Sequence, residues 1–173
     1  MIRLANRTAK LKELDHINDH CHQFIEALPF LILSAHGAKG IDCSPRGDPA
    51  GFVRLADERT IQIPDRRGNK RLDSLRNIIA NPCEGIIFLV PNVGVTIRLS
   101  GQARIVVDKE LNASFSINGK PSSSVLGVGA EKVYYQCPKA LARSRLWETE
   151  SHPERSHFTA AGEMNHVFAR MHG

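Results

Sequence analysis

The sequence predicts a mainly β protein in which antiparallel strands form a closed or nearly closed barrel. Short apolar runs of strand length, such as "FLILSAH", "FVRLA" and "GIIFLV", recur at hairpin spacing with turn residues between them. The segment "VTIRLSGQARIVVD" alternates apolar and polar residues, as a half-buried strand does. Strands do not alternate with helices along the chain, and this argues against a parallel sheet.

Length and composition predict one folded domain over residues 1–150, including an N-terminal helix, and a polar, His-rich tail over 151–173. Hydrophobic residues make up 42% of the 173, which is enough to bury a core. In the tail, "AGEMNHVFARM" has the spacing of a helix. The net charge of +5 favours anionic partners.

Composition also narrows the classes of partner. Aromatic residues make up only 6% of the chain, too few for the stacking surface of a single-stranded nucleic-acid binder. The four cysteines are widely spread without a C-x-x-C pair, and no apolar run reaches membrane length. We therefore expect a reduced, cytoplasmic protein that binds neither nucleic acid nor membrane.

The first elements are a helix and two hairpins. Apolar residues at helical spacing predict a helix over residues 11–28, ended by Pro29. Strands over 30–36 and 41–44 form the first hairpin, and strands over 52–56 and 60–64 form the second. Between the hairpins lies "SPRGDPAGF", where two prolines and two glycines are expected to break or bulge the strand pairing.

The second half continues with a helix that Asn69 is expected to cap, which would place Lys70 and Arg71 in its first turn. The remaining predicted elements, in order, are a buried strand over 85–90, a long strand over 95–108 with a bulge or bend at Gly101, a short helix over 109–117, a loop over 118–124, a strand over 131–137 and a closing helix over 138–147.

The segment "PDRRGNKR" from Pro64 to Arg71 predicts an anion site. It carries four cations against one carboxylate and leads directly into a helix. Cations in a first helical turn oppose the helix dipole and cost about 0.3–1 kcal/mol each. A bound phosphate would offset this cost, because free N–H groups and flanking cations together bind phosphate. The alternative is a solvated basic loop.

Arg46 strengthens the anion-site interpretation. If neighbouring hairpins place the ends of their strands side by side, Arg46 and the segment from Pro64 to Arg71 converge. Gly47 would let backbone approach a flat ligand. Asp48 is expected to orient Arg46 or to accept a ring N–H of that ligand.

Three stretches, taken together, resemble the pyridoxamine 5′-phosphate oxidase-like flavoproteins. They are "S-P-R-G-D-P", "I-P-D-R-x-G-N-x-R-x-D-S-L-x-N-I" and "N-P-x-x-G-I-I-F-L-V-P". A fourth, "C-x-K-A-x-x-R-S-x-L-W", is similar to the end of an uncharacterised bacterial branch of that family. The resemblance covers about residues 24–147, and it implies a six-stranded split β-barrel homodimer with peripheral helices that holds FMN at the subunit interface.

The resemblance also implies roles for individual residues. It assigns the FMN phosphate and ribityl chain to Arg46, Asn69, Lys70, Arg71 and Ser74 and places Pro64, Asp65 and Arg66 along the isoalloxazine ring, beside Gly47 and Asp48. Four residues of the closing motif are expected to approach the flavin from the partner subunit: Lys139, Arg143, Ser144 and Trp147.

The function that follows is an FMN-dependent oxidoreductase acting on a small organic substrate. The alternative keeps the fold without catalysis, as a flavin-, haem- or deazaflavin-binding protein. Arg170-Met-His172 has the spelling of the Arg-x-His that grips the substrate phosphate in pyridoxamine phosphate oxidases, but not its surroundings, so vitamin B6 oxidation is not expected.

A cluster of histidines near the start of the chain does not predict a metal site. His16 and His20 stand four residues apart on the predicted first helix, beside Cys21 and His22, and zinc could use such a set. The glutamate of an H-E-x-x-H motif is missing, however, and Cys21 fits the apolar stripe. Exposed histidines on a helix are the preferred interpretation.

Overall fold

A computed structural model describes residues 12–38, 40–66, 68 and 72–172, and its strands form one antiparallel sheet. The strands are β1 (Glu13–Leu14), β2 (Phe30–Gly37), β3 (Gly40–Gly47), β4 (Arg54–Asp57), β5 (Thr60–Asp65), β6 (Cys83–Leu89), β7 (Thr96–Val106) and β8 (Ser124–Gln136). Their order in the sheet is β3-β2-β6-β7-β8-β5-β4, and β1 pairs with β8. The predicted antiparallel, mainly β fold is confirmed, with eight strands among the described residues where six were expected.

Five α-helices flank the sheet in the described part of the chain. They are α1 (Asp19–Ala27), α2 (Asp73–Ala80), α3 (Lys109–Ser114), α4 (Lys139–Ser144) and α5 (Ala161–His172). Short 3-10 turns at Thr149–Ser151 and Arg155–His157 connect α4 to α5. Within the described ranges, no helix combines the length and apolar character needed to cross a membrane.

The core lies against one face of the sheet. Along β2, buried Leu31, Leu33 and Ala35 alternate with more exposed residues. The same alternation in β6 buries Ile86 and Phe88 on that face, because the two strands are in register. Full burial of such a side chain contributes about 1.5–3 kcal/mol. The core-facing side of the sheet therefore fixes the register of the strands.

Two helices begin later than the sequence predicts. Helix α1 starts at Asp19, because the Asn18 side chain caps it by accepting a hydrogen bond from the Cys21 backbone N–H at 3.0 Å. The first predicted residue, Leu11, lies outside the described residues. Helix α2 starts at Asp73 with Leu72 at its N-cap position, so the expectation that Asn69 caps it is wrong.

Two strands extend further than predicted. Strand β3 continues through Pro45 and Arg46 to Gly47. It is the end strand in the sheet order, and a proline is tolerated there because one side of an edge strand needs no N–H donors. The break in pairing comes at Asp48 instead of Ser44. Strand β8 begins at Ser124, so it includes the end of the predicted loop.

The expected irregularity at Gly101 is confirmed. Ser100 pairs with Lys132 and Gly101 pairs with Ala130, so the extra residue, Glu131, lies on β8 opposite Gly101. A Cβ atom built on Gly101 would lie 1.8 Å from the backbone oxygen of Gly129. Only glycine fits this close approach of two backbones.

We expect Gly101→Ala to lower the free energy of unfolding by more than about 2 kcal/mol, because the backbone of β8 must move to admit the methyl group. Urea denaturation measures this. Gly162→Ala is the matched control: nothing lies within 4 Å of a Cβ there, and alanine in a helix is worth about 0.5–1 kcal/mol more than glycine. Equal unfolding midpoints for Gly101→Ala and the natural protein would contradict the steric account.

Candidate functional site

An ion pair joins β3, the strand at one end of the sheet order, to β5, the strand next to the other end. Arg46 on β3 donates from Nη1 to Oδ1 of Asp65 on β5 at 2.7 Å. Four strands lie between β3 and β5 in the hydrogen-bonded order, so the sheet must curl to bring these side chains together. Both side chains are more than four-fifths buried. Arg46 and the segment after Pro64 therefore converge, as predicted, although curling of the sheet and not a shared hairpin brings them together.

A second ion pair crosses the first. Arg66, which follows β5, donates from Nε to Oδ2 of Asp48, which follows β3, at 2.6 Å. The Nη1 of Arg66 also donates to the backbone oxygen of Phe115 at the end of α3. The expectation that Asp48 orients Arg46 is wrong: Asp48 holds Arg66, because Asp65 is the acid placed against Arg46. Each charge-assisted hydrogen bond contributes about 1.5–3 kcal/mol.

These crossed pairs lie in an open groove of about 1110 Å³. Seven predicted site residues line it: Arg46, Gly47, Asp48, Pro64, Asp65, Arg66 and Ser74. Sequence reasoning missed the groove's apolar walls, which are Phe52, Leu72, Leu75, Ile105 and Val107. These wall residues come from separate elements of the fold. The alternation of β7 showed which side of the strand carries Ile105, but not which other residues lie against that side. The groove therefore combines charged groups with apolar surface.

Three predicted phosphate ligands, Asn69, Lys70 and Arg71, lie outside the described residues. Ser74, in the first turn of α2, is 6% exposed and donates from Oγ to Oδ2 of Asp42 at 2.6 Å. Its hydroxyl therefore has an acceptor on β3 and connects the helix to the strand that carries Arg46.

The closing motif lies outside this groove. Lys139, Arg143 and Ser144 are exposed on α4, and the Ser144 hydroxyl donates to the Leu141 backbone oxygen. Trp147 follows α4, where its indole Nε1 donates to the backbone oxygen of Val93 at 3.0 Å. Within one subunit the structure does not bring these residues to the groove, so their predicted contact with a partner's flavin stays a prediction.

The tail also stays away from the groove. Arg170, in the exposed helix α5, donates to the backbone oxygen of His166 one turn earlier. Neither residue lines the groove.

Sequence reasoning also missed a buried carboxyl group that lies within reach of the charge of Arg46. Glu84 on β6 is 4% exposed, and neither of its carboxylate oxygens has a hydrogen-bond partner among the described residues. Glu84 precedes buried Ile86 and Phe88 by two and four residues, so the two-residue period of β6 was the signal that its side chain faces inward.

The charge state of Glu84 follows from its surroundings. Burial raises its pKa to about 8 from an ordinary value of 4.5. The positive charge of Arg46 acts in the opposite direction, and the negative charge of Asp42 adds to the increase. Glu84 is therefore mostly neutral at pH 7. Arg46 also has an unsatisfied group, since its Nε is buried without a partner in the described part of the chain.

No metal centre is found among the described residues, where His, Cys, Asp and Glu form no group of three or more. Because α1 begins at Asp19, His16 is not on the helix with His20, and the spacing that zinc would need is not formed. Nδ1 of His16 instead lies 3.0 Å from Oδ1 of Asp15, and Nε2 of His22 lies 3.2 Å from Oε1 of Glu26.

Comparison with protein families gives one match. The model of the family described as pyridoxamine 5′-phosphate oxidase matches residues 17–137. This range contains both ion pairs, the described walls of the groove and Glu84. No sequence among the curated proteins matches this chain.

Solved structures share the fold at low sequence identity. HupZ of Group A Streptococcus superposes with a TM-score of 0.56 at 19% identity, covering 69% of this chain and 93% of its own. A Clostridium acetobutylicum protein of the pyridoxinephosphate oxidase family, related to general stress protein 26, gives a TM-score of 0.51 at 14% identity, and the match covers 68% of this chain and 86% of its own. General stress protein 26 of Bacillus anthracis gives a TM-score of 0.50 at 15% identity, and the match covers 66% of this chain and 88% of its own. These likenesses establish the fold.

Glu84→Gln is expected to change how stability depends on pH. The folded state holds the Glu84 proton more tightly than the unfolded chain does, so the natural protein loses stability as pH rises from about 4.5 through about 8. The loss approaches about 1.4 kcal/mol per pH unit within that window, and glutamine removes it. Urea titrations across this range measure the slope. Glu131→Gln, at an exposed site on β8, is the control. Identical slopes for Glu84→Gln and the natural protein would show that Glu84 titrates normally.

Proposed function

This chain belongs to the pyridoxamine 5′-phosphate oxidase family, and from that premise we propose that it is an FMN-dependent oxidoreductase acting on a small organic substrate. The observation that carries the proposal is the convergence of Arg46, Asp48, Asp65, Arg66 and Ser74 in one groove. These residues come from three separate parts of the sequence. The fold brings them together at a site with both charge and apolar surface, which is the composition of a cofactor site.

The FMN phosphate is assigned to the end of the groove that holds Arg46. The pair with Asp65 uses Nη1 of this guanidinium, and the Arg46 side chain keeps 17% of its surface exposed, where a phosphate can approach it. The two ion pairs cancel in charge, so a phosphate dianion needs further cations. We assign that role to Lys70 and Arg71, with Asn69 as a hydrogen-bonding partner. The Ser74 hydroxyl would join them only by turning its single proton from Asp42 to the phosphate.

The isoalloxazine ring is assigned to the apolar part of the groove. Ile105 and Val107 offer apolar surface there, and Pro64 gives an edge without an N–H donor. Gly47 lines the groove beside Arg46, although a Cβ there would point at the Pro29 backbone oxygen, 3.3 Å away, and not at a ligand. FMN, when bound, supplies the electron-transfer chemistry. The chain's own residues anchor the phosphate, orient the ring and exclude water from one face.

A non-catalytic flavin carrier is the second candidate, and the groove lining favours it in one respect. Among the described residues, no histidine, cysteine or tyrosine lines the groove, and Asp48 and Asp65 are both held by arginines. None of the described lining residues is therefore left as a free general acid or base. The same lining offers haem no axial histidine, cysteine, methionine or tyrosine, so this groove suits a flavin or deazaflavin better.

We propose a homodimer in which the second subunit covers the flavin. One subunit leaves the groove open on one side, and Phe30 and Ile87 are each 39% exposed on the outer face of the sheet. Helix α4 would then reach the partner's groove with Lys139, Arg143 and Ser144, while Trp147 holds the end of that motif against Val93. On this proposal the flavin-binding domain is residues 1–150, and residues 151–173 are a tail outside it.

Apo-protein is expected to bind FMN more tightly than riboflavin, because only FMN carries the phosphate. Replacing both Arg46 and Arg71 with alanine should weaken FMN binding by several kcal/mol, since each charge-assisted hydrogen bond contributes about 1.5–3 kcal/mol. Flavin fluorescence titration measures both. Arg155→Ala, at an exposed 3-10 turn of the tail, is the control. Equal affinities for FMN and riboflavin would overturn the phosphate assignment.

Lys139→Met tests the role assigned to α4. A cation beside the ring stabilises the reduced, anionic flavin more than the oxidised flavin, so its loss should lower the midpoint potential. Spectroelectrochemical titration measures the potential, and Lys120→Met, in an exposed turn, is the control. Sedimentation should show an unchanged dimer. A potential that does not move would return Lys139 to the role of a solvated surface cation.

A further inference from the structure

Two buried polar groups with unpartnered atoms lie on the same side of the sheet. One is the carboxyl group of Glu84, and the other is Nε of Arg46. Glu84 is opposite Ala35 in β2, and Ala35 is opposite Asp42 in β3. Arg46 is four residues beyond Asp42 along β3, so its side chain leaves the strand on the face that Asp42 and Glu84 share.

The charges around Glu84 come from β3. Arg46 and Asp42 are the two charged residues whose fields act on Glu84. On the neighbouring strands, Ala35 and Gly101 are opposite Glu84 and carry no charge. Helix α2 faces this part of the sheet with neutral side chains, since Ser74 donates to Asp42 and Asn77 lies against the Ala35 backbone oxygen.

Arg46 therefore has two acids that can take its charge. Asp65, which lines the groove, already holds Nη1, whereas Glu84 is 4% exposed, does not line the groove and feels the charge of Arg46. A neutral Glu84 leaves the whole charge of Arg46 to the groove. An ionised Glu84 attracts the same guanidinium, and a buried ion pair that forms there lowers the positive potential in the groove.

We propose that Glu84 is a positioning residue that acts through Arg46 and sets the affinity of the groove for a phosphate monoester. In its neutral form Glu84 leaves Arg46 to Asp65 and the phosphate, and in its ionised form it competes with the phosphate for Arg46. This inference rests on the proposed function, because it takes the FMN phosphate as the anion. It assigns a role to a residue that contacts no part of the bound molecule.

The sign of the effect follows from the burial of Glu84. Its pKa of about 8 means that it ionises as pH rises past neutrality. A phosphate monoester is already a dianion above pH about 6, so its own charge is constant in that window. Affinity for FMN should therefore fall as pH rises from about 7 to about 9, and affinity for riboflavin should not change.

The test compares FMN and riboflavin titrations of the full apo-protein across that pH range. In the natural protein the FMN dissociation constant should rise about tenfold, a typical coupling between two sites. Glu84→Gln should give a constant value close to that of the natural protein at low pH. Glu84→Asp should restore the pH dependence, and exposed Glu131→Gln should leave it as in the natural protein. The same rise in Glu84→Gln as in the natural protein would overturn the proposal.

A second measurement separates this inference from the proposed function. The infrared carbonyl band of protonated Glu84, identified by its loss in Glu84→Gln, reports the Glu84 titration in apo-protein. Arg46→Met should raise the midpoint of that titration, because it removes the favourable positive charge. If FMN fails to bind at every pH, the proposed function falls, and the infrared midpoint alone decides the coupling. A midpoint that Arg46→Met leaves unchanged would overturn the coupling in either case.

Discussion

The groove exists because two crossed ion pairs hold together parts of the sheet that do not share backbone hydrogen bonds. Arg46 on β3 binds Asp65 on β5, and Arg66 after β5 binds Asp48 after β3. Backbone pairing in the described residues runs from β3 through β8 to β4 without joining its ends. The ion pairs therefore hold β3 and β5 near each other where no backbone hydrogen bonds join them. The space between these two strands stays open to a ligand.

Because each arginine of the groove is paired with an aspartate, the two ion pairs carry no net charge, and this affects how the groove binds an anion. Buried arginines without acids would repel each other and lose hydration, so Asp48 and Asp65 make the cations tolerable inside the fold. The same acids weaken the field that an anion meets. If FMN binds as proposed, its phosphate shares Arg46 with Asp65, and an ionised Glu84 competes for the same guanidinium. A change in the charge of Glu84 should therefore change the affinity of the groove for the phosphate.

Much of this could be predicted from the sequence, because the signals were local. Alternation gave the long strands, and the prolines, glycine and arginines around Arg46 and Arg66 marked the groove. The pairing of each arginine was not predictable, since which acid meets which guanidinium depends on how far the sheet curls. The start of α1 was missed because Asn18 caps the helix after its apolar pattern has already begun. Glu84 was missed because the predicted strand began one residue after it, and because the charges that act on it belong to β3.

The most direct test of this account is the crystal structure of the protein grown with FMN. The account predicts a flavin in the groove between β3 and β5, with its phosphate in hydrogen-bond contact with the Arg46 guanidinium and its ring along Pro64 and Ile105. A phosphate bound away from Arg46, or a flavin on the outer face of the sheet, would contradict it.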